Sequence, residues 1–160
     1  MVAYPLLPVS EASAGGAEQI LWSLERELAA RGWQTTVAAC AGSSVAGELL
    51  ATGVAPRIRD DFPAREKEHS ERVVAACATG NFDIVLDHSG HFFRHASRVK
   101  QRVLATLHLP RSLYAEDIFD GLAPNVFFNC VSQTQRATFR DVPQVIGVVK
   151  NGISVERFPM

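Results

Sequence analysis

Short apolar runs alternate with amphipathic stretches along the whole chain. Val2 to Leu7 is a brief apolar run that ends in a loop rich in Pro, Ser and Gly. Ala17 to Arg31 follows, with Ala17, Ile20, Leu21, Leu24 and Leu28 recurring at the period of a helix. Gly15-Gly16 precede it and Gly32 closes it. Trp33 to Cys40 is β-branched and apolar and predicts a strand. Ser44 to Thr52 predicts a short helix, and Val54 to Ile58 a brief extended piece. A charged segment from Arg57 to Arg72 runs into a helix through Val73, Val74 and Cys77 that stops near Gly80. Asp83 to Asp87 predicts a strand, Arg94 to Arg102 a basic helix, and Val103 to Leu109 a strand stopped by Pro110. Asn125 to Val131 predicts another strand, Thr134 to Phe139 a helix, and Val145 to Val149 the last strand.

Strands with near-continuous apolar cores, separated by helices, predict a parallel sheet covered on both faces. Right-handed crossovers then make the fold a Rossmann-like, doubly wound α/β three-layer sandwich with a mainly parallel sheet. Ligands of such sheets bind beyond the carboxyl ends of the strands, where strand order reverses. That rim collects Ser10, Glu11 and Gly15-Gly16 after the first strand, and His88, Ser89 and His91 after Asp87. His108, then Ser132 and Gln133, and finally Asn151-Gly152 follow the later strands. The rim is the expected binding face.

Composition narrows the classes. The 160 residues suit one domain or a little more, and 47% hydrophobic with 21% charged residues is ordinary for a globular chain. Sixteen basic and 17 acidic residues give a net charge of −1, which argues against a nucleic-acid binder and against disorder. The three cysteines, Cys40, Cys77 and Cys130, are widely spaced, so neither a disulfide framework nor a cysteine zinc site is expected and a reducing cytoplasm fits. No run of 18 apolar residues spans a membrane. Pro5 and Pro8 interrupt the apolar start and the first basic residue is Arg26, so a secretory signal is not expected.

Each candidate site has a plain structural reading beside the chemical one. Gly15-Gly16 before a helix fits either a phosphate held by backbone N–H groups or a turn that reverses the chain. The pattern is neither GxGxxG nor GxxxxGK[ST]. His108, between Leu107 and Leu109, is either a ligand contact or a locally satisfied strand cap. His88, His91 and His95 would share a face on one helix with Asp87 beside them. Gly90 makes a loop there the better reading, so no metal site is expected and polar contacts from His88 or His91 to a ligand fit better. Ten of the sixteen residues from Arg57 to Arg72 are charged with mixed sign, which reads as a solvated face rather than a docking patch. Arg94, Arg98, Lys100 and Arg102 read as a solvated helix face, or as a surface attracted to an anionic membrane or acceptor. Phe92-Phe93 beside them fit either a core or an interface. Ser89 and Ser132 lack a G-x-S-x-G elbow, which excludes an esterase.

Taken in order, a series of motifs resembles one family. These are Gly15-Gly16-Ala17-Glu18, the helix end Leu28-Ala29-Ala30-Arg31-Gly32, and the strand Thr35-Thr36-Val37-Ala38-Ala39. Then come Asp83 through His88, Thr106-Leu107-His108 with Val131-Ser132, and the closing Asn151-Gly152-Ile153 with Phe158. They are similar to the N-terminal half of family-4 glycosyltransferases of the GT-B fold. The resemblance implies a Rossmann-like N-terminal, acceptor-side domain over 1–150 and the start of an interdomain linker over 151–160. The C-terminal Rossmann-like donor domain is then missing. It implies transfer of a sugar from a nucleotide-sugar donor, of the hexosyltransferase type, with retained anomeric configuration. No metal is implied, and this chain alone would be inactive, holding only half the active site. Gly15 and Gly16 would meet the donor diphosphate and His108 the transferred sugar, as the catalytic residue. Glu11, His88, His91 and Ser132 would line the acceptor side, and Asn151 with Gly152 would form the hinge. The acceptor would be a sugar, a lipid or a small metabolite. The expected location is cytoplasmic, with peripheral contact at the inner membrane face.

Two departures from the family pattern stand out. Trp33 occupies a position where a histidine is usual, away from the rim. The first strand begins at Met1-Val2, several residues short, so its neighbours are expected to lack ladder partners. Two rival classes share the fold: a free-standing module that binds a phosphate or sugar without transfer, and a structural interaction domain.

Overall fold

In the computed structural model, which describes residues 1–55 and 61–152, the expected alternation of strands and helices is present. Helix α1 runs Gly16–Ala30 and buries Leu21 against Ala3, Val9, Val37 and Ala39. Its end is a Schellman motif: Gly32 N–H donates to the Ala29 carbonyl and Trp33 N–H to the Leu28 carbonyl. Gly32 adopts φ +86°, a conformation that side chains disfavour, which is why a glycine closes this helix.

Strand β1 is Thr36–Ala39, shorter than the expected run from Trp33, whose ring is exposed. The segment expected to be a short helix, Ser44 to Thr52, instead contains strand β2, Glu48–Ala51, paired parallel with β1 at Thr36↔Glu48. Glu, Leu and Ala favour helix intrinsically, but the pairing with β1 and the packing of a leucine on each face override that preference. Leu49 packs in the core under α1 and Leu50 in the core under the next helix. Gly47 lies so close to Thr35 that no side chain fits, and Glu48 N–H donates to the Thr35 carbonyl at 2.9 Å. The extended piece expected at Val54 to Ile58 is not a strand at Val54-Ala55, and the rest of it lies outside the described residues.

Helix α2, Phe62–Thr79, carries Pro63 in its first turn, where its missing N–H costs no helical bond. Its charged face is solvated: Arg65 and Arg72 pair with Glu68, and Arg98 pairs with Glu71 through two 2.7 Å contacts. Strands β3 (Ile84–Asp87), β4 (Arg102–Leu107), β5 (Val126–Cys130) and β6 (Val145–Val148) follow, all parallel and in that order. The expected basic helix Arg94–Arg102 is a 3₁₀ helix, Phe92–Arg98, and Arg102 belongs to β4. Phe92 and Phe93 are core, not interface. Helix α3 is only Gln133–Arg136.

Residues 1–3 sit between β1 and β3 and join the two groups of strands. Val2 bridges both Ala38 and Asp87 in parallel. The shortened first strand therefore does not leave these neighbours unpaired: Val2 N–H donates to Leu86, His88 N–H to Val2, Ala3 N–H to Ala38 and Ala38 N–H to Met1. Strand order reverses across this segment. Alternation divides the core between the faces. Val37 and Ala39 pack with α1, whereas Val2, Ala38 and Val85 pack with Val73 and Cys77 of α2. The helices thus cover opposite faces, as a doubly wound sheet requires.

Two buried polar groups brace this frame. Glu25 is fully buried in α1, accepting from Thr35 Oγ at 2.6 Å and from the Ala46 and Gly47 N–H groups at 2.9 and 2.8 Å. It ties α1 to the start of both first strands. His69 of α2 meets Thr52 Oγ at 2.6 Å through Nδ1, while Nε2 is buried without a hydrogen bond. Burial pushes its pKa down to about 4 from 6.5. The unfolded chain therefore binds a proton that the folded chain refuses as pH falls from 6.5 towards 4. Stability from this group is complete above pH 6.5 and is lost below it by about 1 kcal/mol per pH unit. Urea titrations at pH 7.5 and 5.0 should show that His69→Gln loses less stability on acidification than the parent chain. Equal losses would mean that His69 is not held neutral.

Candidate functional site

All strands run parallel, so their carboxyl ends share one edge. In doubly wound sheets the ligand crevice lies at this edge where strand order reverses, here between the loop after residue 3 and the turn after β3.

The turn after β3 is built by Asp87. Its buried carboxylate accepts from Ser89 N–H (2.8 Å), Ser89 Oγ–H (2.6 Å) and Phe93 N–H (2.9 Å). Burial raises its pKa, and these donors act in the opposite sense. Ser89 Oγ in turn accepts from the N–H groups of His91 and Phe92, and Gly90 takes φ +75°. Ser89 is thus a turn former, with its hydroxyl committed.

This turn fixes His88 next to His108. His88 Nδ1 lies 3.1 Å from His108 Nε2, with ring centroids 5.3 Å apart. His88 is buried and His108 half-buried. Burial, with a contribution from the neighbouring imidazole, pushes His88 down to about 3, and burial lowers His108 as well. Both rings are neutral at pH 7. The chemistry available is hydrogen bonding by uncharged imidazoles.

The other histidines diverge. His91 stacks on Tyr4 at 6.0 Å, stands edge-on to Phe62 at 6.0 Å, and holds Nδ1 4.0 Å from the Glu66 carboxylate. His95 packs on Phe92. His88, His91 and His95 share no helix, because the 3₁₀ helix begins only after His91. Among the described residues no group of three His, Cys, Asp or Glu side chains could hold a metal ion.

Gly15 caps α1 and Gly16 opens it. A Cβ on Gly16 would meet nothing within 4 Å, whereas one on Gly15 would collide with the Glu18 carboxylate. Glu18, in the first turn of α1, is buried and folded back over Gly15. A carboxylate there suits the positive end of the helix dipole. The two glycines therefore differ: Gly15 makes room for Glu18, and Gly16 leaves the helix start open.

Ser132 is the N-cap of α3, accepting from Gln135 N–H at 3.0 Å. Gln135 itself escaped the sequence reading. Its Oε1 accepts from Val131 N–H, and its Nε2 donates to the carbonyls of Leu107 and Leu109 at 2.7 and 2.8 Å. It grips the backbone on both sides of His108. The available signal was the Ser-x-x-Gln spacing of a capping box. Glu11 is exposed on the loop before α1, and Asn151 and Gly152 are exposed after β6. The structure thus brings His88 and His108 into contact. It places Gly15, Gly16, His91, Ser132, Asn151 and Gly152 along the same edge without joining them.

This rim, with its open helix start and its histidine at the end of β4, agrees with one family model over nearly the whole chain. Residues 14–157 match the model of Glycosyltransferase Family 4. The chain belongs to that family. No curated protein matches it significantly. As a Glycosyltransferase Family 4 domain it has a mixed α/β fold with a parallel sheet, and among its described residues no helix is long and apolar enough to cross a membrane.

Gln135→Ala removes three hydrogen bonds around His108 and should cost about 2 kcal/mol. Hydrogen–deuterium exchange should quicken in peptides covering 105–114 and 129–136, with β1 and β2 unchanged. Unchanged exchange beside His108 would remove the grip assigned to Gln135.

Proposed function

We propose that this domain is the acceptor-side wall of a two-domain glycosyltransferase that uses a nucleotide sugar, retains anomeric configuration and is inactive without its donor domain. The observation that supports this most is the placement of an open helix start at Gly16 and a neutral histidine pair on one edge, across the reversal of strand order.

The roles follow from the charges that sugar transfer creates. As the bond to the diphosphate breaks, positive charge grows on the sugar ring and negative charge on the leaving group. N–H groups at the start of α1 face a leaving diphosphate with partial positive charge already in place. His108 stands beside the transferred sugar as an uncharged hydrogen-bonding group. A neutral ring there adds no repulsion to the growing cation, as an imidazolium would. His91, with Tyr4 and Phe62, offers ring faces on the acceptor side, to which Glu11 of the loop before α1 also belongs. Ser132 contributes through α3 rather than by a free hydroxyl, and Asn151-Gly152 leads to the second domain. The family resemblance carries the expectation that no metal ion is needed. Closure of the two domains would exclude water from the crevice.

The test compares two variants in a protein that carries both domains. Gly16→Ala has room for its methyl group and improves helix propensity, so its melting temperature should hold or rise. Its KM for the nucleotide sugar should rise about tenfold if the backbone approaches the diphosphate closely. An unchanged KM leaves the glycine a turn residue. His108→Ala should lower kcat about 100-fold with the fold intact. Turnover of nucleotide sugars by the 160-residue chain alone would overturn the half-site assignment.

A further inference from the structure

At the carboxyl ends of β3 and β4 two imidazoles meet nitrogen to nitrogen, His88 Nδ1 to His108 Nε2 at 3.1 Å. A neutral imidazole carries one N–H and one bare nitrogen, so one ring must donate and the other accept. Two arrangements satisfy the contact. In the first, both rings carry their proton on Nε2, and His108 Nε2–H donates to the bare His88 Nδ1. In the second, both carry it on Nδ1, and His88 donates. The Nε2–H form is the one a neutral histidine side chain favours in water, so the first arrangement takes neither ring out of its preferred state.

We propose that His88 is a positioning residue that holds His108 in the Nε2–H tautomer, so that His108 presents a bare Nδ1, a hydrogen-bond acceptor, to its ligand. The inference rests on the reading that His108 faces the transferred sugar. The frame around His88 is rigid enough for the task. Its N–H donates to the Val2 carbonyl at 2.9 Å, and the turn locked by Asp87 and Ser89 begins beside it. With Nε2 committed to His88, Nδ1 lies on the other side of the His108 ring. The ligand group that suits a bare Nδ1 is a hydroxyl donor, as on a sugar. Proton donation to the leaving diphosphate is not available to a ring in this state. Burial keeps both rings uncharged, so neither is a cation at neutral pH.

The tautomer can be read without any transfer assay. Long-range proton–nitrogen correlation spectra of the ¹⁵N-histidine-labelled chain at pH 7.5 distinguish bare from protonated ring nitrogens. The expected spectrum has His108 with a protonated Nε2 and a bare Nδ1, and His88 with a bare Nδ1. A proton on Nδ1 of His108, or nitrogen shifts averaged between tautomers, overturns the proposal. His88→Phe removes the acceptor and should bring the His108 nitrogens to averaged values, whereas an unchanged His108 spectrum overturns the proposal. His88→Asn places an oxygen near the former Nδ1 and should keep the parent pattern; it serves also where the Phe variant does not fold. In a two-domain protein, His88→Phe should lower kcat about tenfold at constant donor KM, with recovery in His88→Asn. A spectrum as expected together with full activity of His108→Ala would sink the functional reading and leave the tautomer assignment standing. A wrong spectrum with an inactive His108→Ala would do the reverse.

Discussion

Four backbone hydrogen bonds to residues 1–3 hold the sheet together, and the site depends on them. Among the described residues, the ladder of β1 and β2 and that of β3 to β6 are bridged by this segment. A central strand reduced to one bridging residue still meets the requirement that buried N–H and C=O groups be paired. It also sets the place where strand order turns back, and hence the crevice. The coupling to the site is direct. The Val2 carbonyl accepts from the N–H of His88, and the loop that follows Ala3 leads to Gly15 and Gly16. Movement of residues 1–3 would shift both sides of the crevice together.

The layers are unequal because of the chain's connections. Residues Phe92, Phe93, Ala96, Phe139 and Val142, from the connections after β3 and β5, share one core with Val103, Ala105, Leu107, Val126 and Phe128. These strand residues alternate with Leu104 and Phe127, which belong to the opposite face and are half-buried. On that face Ile84 is 47% and Ile146 61% exposed, whereas α1 covers the portion over β1. Consecutive parallel strands added in one direction send right-handed crossovers to one face only. The face below α1 is therefore covered at one end, and that follows from strand order rather than from composition.

How much of this was legible depends on the range of the interaction. The helix from Ala17 is fixed by an apolar repeat and a terminal glycine within its own sequence, and its bounds shift by one residue. The strands ending near Asp87, His108, Val131 and Val149 are likewise local apolar runs, and all of them form. β2 was not legible because its four residues prefer helix by themselves; they become a strand only because β1 offers a ladder and a leucine packs on each face. Glu25 and Glu18 fall outside the apolar repeat of this helix, and both are buried. What buries Glu25 is a pair of N–H groups 21 and 22 residues away, a partnership that no local pattern encodes. His108 was placed at the rim by position alone, while its contact with His88 required two strand ends to be neighbours in register. Gln135 is the intermediate case, since its spacing from Ser132 was visible and its grip on Leu107 and Leu109 was not.

The electrostatics of the rim follow one pattern: formal charges are spent on building the backbone, and the crevice is left to dipoles. At this edge Asp87 is saturated by N–H and O–H donors, and the histidine pair is neutral. Glu66, 4.0 Å from His91 Nδ1, and Glu18 depart from this pattern, and the Glu18 carboxylate lies at the start of α1 beside Gly15. A diphosphate drawn to Gly16, as the proposed function requires, meets the helix dipole and this carboxylate at once. Attraction to the N–H groups must then outweigh a repulsion between like charges at short range. Two arrangements relieve it: the carboxylate turns away from Gly15, or the diphosphate settles on the Gly16 side, where a Cβ would find open space. The second needs no rearrangement of a buried side chain. It makes Gly16, rather than Gly15, the glycine whose missing side chain a ligand would use.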